Sequence, residues 1–112
     1  MRIHHLALRT RDLEGLERFY ARLGLKRARV QPGYSVWLRA GDAMLMLELA
    51  EPAEPAPTPQ SLQLLAFAVD DLAAVERTLA EQGVRIEDRT EHTLYFRDPD
   101  GRRVGVSDYS FD

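Results

Sequence analysis

The sequence predicts an α+β fold: two tandem βαβββ modules whose strands form a curled mixed sheet around a concave cleft, with the helices on the outer face. Three observations lead there. The chain says nearly the same thing twice. With His5 laid over Leu64, His5-Leu6-Ala7-Leu8 falls on Leu64-Leu65-Ala66-Phe67, Asp12-Leu13 on Asp71-Leu72 and Gly24-Leu25 on Gly83-Val84 without a gap. After slightly shorter loops, Trp37-Leu38-Arg39 falls on Tyr95-Phe96-Arg97 and Leu47-Glu48-Leu49 on Val104-Gly105-Val106. An internal repeat of this kind constrains the architecture before any single element does. Second, each copy opens with strand-like alternation, passes through helical spacing and returns to alternation. Third, the stretch Glu51 to Pro59 contains Pro52, Pro55, Pro57 and Pro59. Such a segment is stiff and extended and cannot belong to a helix or a central strand, so it separates the copies. Units of about 50 residues rarely bury enough surface alone. The expectation is therefore one domain over residues 1–112, with module 1 at 1–50, a linker at 51–61 and module 2 at 62–112.

Each element has a local reason. The opening strands are expected at Ile3 to Thr10 and Leu62 to Val69. Asp12 and Asp71 stand where a carboxylate accepts from the free N–H groups of a helix start. Leu13, Leu16, Tyr20 and Leu23 then follow helical spacing, as do Leu72, Val75 and Leu79. Gly24 and Gly83 fall where a left-handed C-terminal cap needs a residue without Cβ. Three strands complete each copy, near Lys26 to Gln31, Tyr34 to Arg39 and Ala43 to Leu49, then Arg85 to Arg89, Thr93 to Arg97 and Arg103 to Tyr109. Gly41-Asp42 and Pro99-Asp100-Gly101 supply the turns before the last strands.

Composition narrows the function classes. Of 112 residues, 45% are hydrophobic and 29% charged, and the net charge of −3 lacks the clustered basic excess of a nucleic-acid surface. There is no cysteine, so a metal site would need His and carboxylate ligands. Charges at Arg9, Arg11 and Asp12 interrupt the N-terminal region before any signal-peptide core forms, and no apolar run approaches the ~20 residues of a membrane span. A soluble, cytoplasmic protein is expected.

Strand alternation sorts the faces. One row, Leu6, Leu8, Leu45, Leu47, Leu49, Leu65, Phe67, Val69, Val104 and Val106, should pack beneath the helices. The opposite row holds His5, Ala7, Arg9, Met44, Met46, Glu48, Leu64, Ala66, Arg103, Gly105, Ser107 and Tyr109, with Trp37, Arg39, Tyr95 and Arg97 joining by pairing. Mixed small, aromatic and charged residues suit a ligand-accessible face; a plain solvent-exposed face is the other reading.

At this point the residues resemble the vicinal oxygen chelate superfamily of glyoxalases, bleomycin-binding proteins and extradiol dioxygenases. His5 to Gly24 looks like the family's opening, Ala66-Phe67-Ala68-Val69-Asp70-Asp71-Leu72 like the start of its second module, and Tyr95-Phe96-Arg97-Asp98-Pro99-Asp100-Gly101 like its turn before the last strand. The resemblance implies a His on the first strand and a Glu on the last strand of each module, side by side and holding a divalent metal open to two substrate oxygens. His5 and Glu48 stand at the first pair of positions, whereas Leu64 and Gly105 stand at the second and cannot bind a metal.

The readings of function follow. The first is a metal-free cleft that binds a small, partly aromatic molecule, with ligand-binding candidates His5, Trp37, Met46, Glu48, Tyr95, Arg103 and Tyr109 and no cofactor expected. The second is a metal-dependent lyase, isomerase, transferase or dioxygenase in which His5 and Glu48 find other ligands. The third is a metal-free enzyme with Glu48 and His5 as an acid–base pair. His4 is expected on the helix side and His92 in a solvated loop. Arg9, Arg39, Arg97 and Arg103 either face an anionic ligand or are simply solvated. A homodimer is expected, with modules paired within a chain or exchanged between chains, each cleft being completed by a second module. No nucleic acid or membrane partner is expected.

Overall fold

A computed structural model describes residues 1–112. Its elements run β1 (His5–Thr10), α1 (Leu13–Arg22), β2 (Lys26–Gln31), β3 (Ser35–Ala40), β4 (Ala43–Leu49), β5 (Leu65–Ala68), α2 (Leu72–Glu81), β6 (Asp88–Arg89), β7 (Thr93–Arg97) and β8 (Arg103–Ser107). The chain divides into two compact units, Met1–Pro55 and Ala56–Asp112, and the division falls inside the proline-rich stretch. Each unit carries one four-stranded mixed sheet, ordered β1-β4-β3-β2 in the first and β5-β8-β7-β6 in the second. First and last strands of each repeat are parallel neighbours and the other pairs are antiparallel, which is the βαβββ connectivity that the repeat predicts.

The helix ends form as their residues dictate. The Asp12 carboxylate accepts from Gly15 N–H at 2.9 Å, and Asp71 accepts from Ala74 N–H at 3.0 Å. A Cβ on Gly15 would meet Asp12 Oδ2 at 2.3 Å, whereas the matching cap of Asp71 accommodates the Cβ of Ala74. Both helices stop at glycines with positive φ, Gly24 at 107° and Gly83 at 72°, where a side chain would be strained. In the first unit α1 buries Leu16, Phe19 and Tyr20, and the sheet buries Leu8, Val36, Leu38, Leu45 and Leu47. In the second, Leu79 of α2 is buried, as are Leu94, Phe96, Val104 and Val106.

The aspartate-proline-aspartate-glycine turn is architectural. Asp98 is buried, and its carboxylate accepts from the backbone N–H of Asp100 at 2.9 Å, from that of Arg102 at 3.0 Å and from the Arg102 guanidinium at 3.0 Å. A buried carboxylate needs such a full set of donors, and the motif supplies them within four residues.

Several expected boundaries move. The segment near Arg85 to Arg89 pairs only over Asp88–Arg89, after Glu87 N–H donates to the Tyr95 carbonyl at 2.8 Å, so the second sheet has a short edge where the first has a full strand. The last strand ends at Ser107 rather than Tyr109. Leu6 and Leu49, expected beneath α1, remain 42% and 43% exposed. Leu6 lies on the edge strand β1 and Leu49 ends β4, whereas α1 packs over β3 and β4. His4 precedes β1 and is exposed, with its Nδ1 2.8 Å from that of His5, so strand alternation does not carry it to the helix side.

Candidate functional site

In the first unit, alternation brings three cross-strand rows to the face opposite α1. Arg9, Glu48, Ser35 and Gln31 form one row. Ala7, Met46, Trp37 and Arg29 form the next, and His5, Met44, Arg39 and Lys26 the third. The His5 and Trp37 rings meet diagonally across β4, with centroids 5.0 Å apart and planes at 57°. Met44, Met46 and Trp37 are half-buried, and His5, Ala7, Arg29 and Arg39 are exposed. This is an aromatic and thioether surface open to solvent, bordered by cations.

The register separates the two residues that the family pattern would place together. His5 lies opposite Met44 and Glu48 opposite Arg9. Four residues along a strand put about 13 Å between them. Glu48 is instead held by Arg9, whose Nη1 donates to Glu48 Oε1 while its Nε donates to both oxygens of Glu54 at 2.8 Å. The hydrogen bond from Arg9 holds the Glu54 carboxyl below its ordinary value. Arg11 adds bonds to the backbone carbonyls of Pro52 and Glu54, so the start of the proline-rich stretch is fastened to the end of β1. In this arrangement Glu48 is a counter-ion, and His5 is part of an aromatic pair.

In the second unit the corresponding face carries Ala66, Gly105, Tyr95 and Asp88 in one row, with Arg103 opposite Arg97 in another. The Arg103 guanidinium carbon lies 4.6 Å from the centroid of the Tyr95 ring, and its Nη2 is 3.8 Å from Asp88. Arg97 Nε donates to Glu87 at 3.0 Å. These two arginines therefore already have partners. A Cβ on Gly105 would touch Ala66 Cβ and Tyr95 Cδ1, each at 3.5 Å, so the Tyr95 ring leans over the bare backbone. Tyr109 lies beyond β8 and stacks edge-on with His92 at 5.7 Å and with Phe111 at 5.0 Å. His92 is not a free loop residue: its Nδ1 lies 2.8 Å from Asp108 Oδ1.

Of the seven ligand-binding candidates, His5, Trp37, Met46 and Glu48 share the first sheet face, Tyr95 and Arg103 share the second, and Tyr109 joins neither. Sequence reasoning missed Arg29. Strict alternation from Lys26 sends Arg29 to the helix side, but a bulge between Arg27 and Arg29 shifts the register and places Arg29 beside Trp37. The aliphatic Val30 was the available signal, since it pairs with Val36 of the buried face.

A family model described as Glyoxalase/Bleomycin resistance protein/Dioxygenase superfamily matches residues 2–106. The chain belongs to that superfamily. A lactoylglutathione lyase from Agrobacterium tumefaciens is 26% identical over 95% of this chain and 92% of its own, with a TM-score of 0.72. A glyoxalase/dioxygenase from Nostoc punctiforme is 25% identical over 94% of this chain and 88% of its own, at 0.78. An integron cassette protein from the mobile metagenome of V. cholerae is 28% identical over 98% and 96%, at 0.77. The superfamily resemblance implies a divalent metal, and within this chain the donors do not fit one. No three His, Asp or Glu side chains are placed to hold a metal ion together, the neighbours of His5 are His4, Trp37 and Met44, and the only carboxylate expected beside it is bound to Arg9.

Proposed function

We propose that this superfamily member binds a small, partly aromatic molecule without a metal, on the first-sheet face centred on Trp37. The observation that carries the reading is the pairing of His5 with Trp37 above Met44 and Met46, where the family pattern would ask for a metal ligand pair. Methionines adapt to irregular ligands, and a tilted aromatic pair offers a flat partner edges and faces for stacking. A ligand that binds only the folded chain raises its melting temperature with concentration. A thermal-shift screen of aromatic compounds is therefore expected to yield concentration-dependent hits whose shift disappears in Trp37→Ala. A hit that keeps its full effect in that variant rejects the Trp37 face.

A metal-dependent lyase, isomerase, transferase or dioxygenase is the second reading, and the 26% identity to a lactoylglutathione lyase favours it. It requires ligands from outside the expected positions, for example from a second copy. Elemental analysis of protein purified without chelators decides between the two: a stoichiometric Ni, Zn, Mn or Fe content selects the second, and less than about one-tenth equivalent after reconstitution selects the first. The acid–base pair of Glu48 and His5 is not carried forward, because the register parts them and Arg9 occupies the carboxylate. We extend the proposal to a cytoplasmic homodimer. No helix is long and apolar enough to cross a membrane, and recovery of the tagged chain in a secreted fraction would reject the cytoplasmic location.

A further inference from the structure

The charges around Trp37 identify what kind of aromatic molecule this face takes, given that the binding reading above holds. Six of the chain's fourteen arginines hold carboxylates, Arg103 among them through Asp88. Arg9 holds Glu48 and Glu54, Arg27 holds Glu17, Arg89 holds Glu76, Arg97 holds Glu87, and Arg102 holds Asp98 and Asp100. The cations of the Trp37 face differ. Arg29 is the cross-strand partner of Trp37, Arg39 lies two residues along β3 on the same face, and Lys26 is opposite Arg39. All three are exposed, and none has a carboxylate within ion-pair distance. The one carboxylate on this face, Glu48, is neutralised by Arg9. The face therefore has an aromatic centre, a thioether floor and a net positive border on the β2–β3 side.

We infer that the ligand is a planar aromatic anion, its ring against Trp37 and His5 and its carboxylate or other oxyanion between Arg29 and Arg39. Guanidinium groups bind planar oxyanions through paired N–H donors. One residue step across the strands and two along β3 separate Arg29, Trp37 and Arg39, which is about 5–7 Å, the span from the middle of a fused-ring system to its substituent. A cationic or neutral aromatic molecule would gain the stacking and lose the charge pairing.

The test uses the sole tryptophan. The chain has a single Trp, so its emission reports this face and no other. The probes are 2-naphthoate and its neutral isostere 2-naphthamide, titrated against the full chain at low ionic strength, with affinity read from Trp37 quenching and checked by calorimetry. Naphthoate is expected to bind about tenfold more tightly than the amide, as suits a charge-assisted contact at an exposed site. The preference should shrink as salt rises. Arg29→Gln and Arg39→Gln should each reduce the acid's affinity severalfold and leave the amide's unchanged. Equal affinity for acid and amide, or a preference that survives both substitutions, overturns the assignment of an anion while leaving a binding face at Trp37 intact. No binding of either probe at millimolar concentration overturns both the anion and the aromatic-binding reading.

Discussion

At the scale of single residues, the first sheet contains one polar group that the fold leaves unsatisfied. Ser35 is 1% exposed, and its Oγ has no hydrogen-bond partner. A buried hydroxyl without a partner costs roughly 1–3 kcal/mol by mutational measure. Ser35→Ala removes that cost and leaves only a small void, so a stabilisation of about 1 kcal/mol is expected. For a chain of this size that is a rise in melting temperature of about 4 °C, readable by calorimetry or circular dichroism. A lower melting temperature in the variant would mean that the hydroxyl has a partner and would sink the prediction. Glu48 teaches the opposite lesson. It sits on the expected strand and faces the expected way, yet its chemistry is set by Arg9 across the register, which spacing along one strand does not disclose.

The elements repeat more than their hydrophobic pattern. Glu17 of α1 accepts from Arg27 of β2 through two bonds of 2.7 Å, and Glu76 of α2 accepts from Arg89 of β6 at 2.7 and 3.4 Å. The same helix-to-strand ion pair thus fastens each helix to the third element of its module. The hydrogen bond from Arg89 lowers the Glu76 carboxyl below its ordinary value of 4.5. A carboxyl lowered on folding adds stability above its unfolded value and loses it as the pH falls through the folded value. Wild type should therefore melt above Glu76→Gln at pH 7, with the gap closing below about pH 4.5. The pair is exposed, so the gap should be small and should narrow in high salt. Melting curves at pH 7 and pH 3.5 check this, and a gap that is the same at both values rejects it. Element positions were largely legible in the sequence because caps, periodicity and glycine stops act within a few residues. The two-residue β6 and the bulge beside Arg29 were not, since both depend on how a strand meets its neighbour. Without the bulge Arg29 reads as a helix-side residue, and the positive border of the Trp37 face is invisible.

For the whole molecule, assembly is the open consequence. Each sheet leaves β1 or β5 with one unpaired edge, and Leu6 on β1 and Leu64 just before β5 remain more than two-fifths exposed. Unpaired edges flanked by exposed leucines favour association with a second copy. Sedimentation equilibrium at micromolar concentration is expected to give about 26 kDa, twice the 12.8 kDa chain, and a clean monomer there rejects the dimer. The sequence by itself determined the repeat, the βαβββ order, the helix ends, the turn at Asp98 and the absence of metal-binding side chains at positions 64 and 105. Each of these is carried by residue identity or by interactions a few positions apart. Tertiary structure alone decided that His5 meets Trp37 rather than Glu48, that Arg9 takes the carboxylate, and that Tyr109 leaves the sheet for His92. It also decided that Arg29 and Arg39 remain unpaired beside the tryptophan. Those outcomes are set by strand register and by competition among charged partners distant in sequence, and a linear pattern encodes neither.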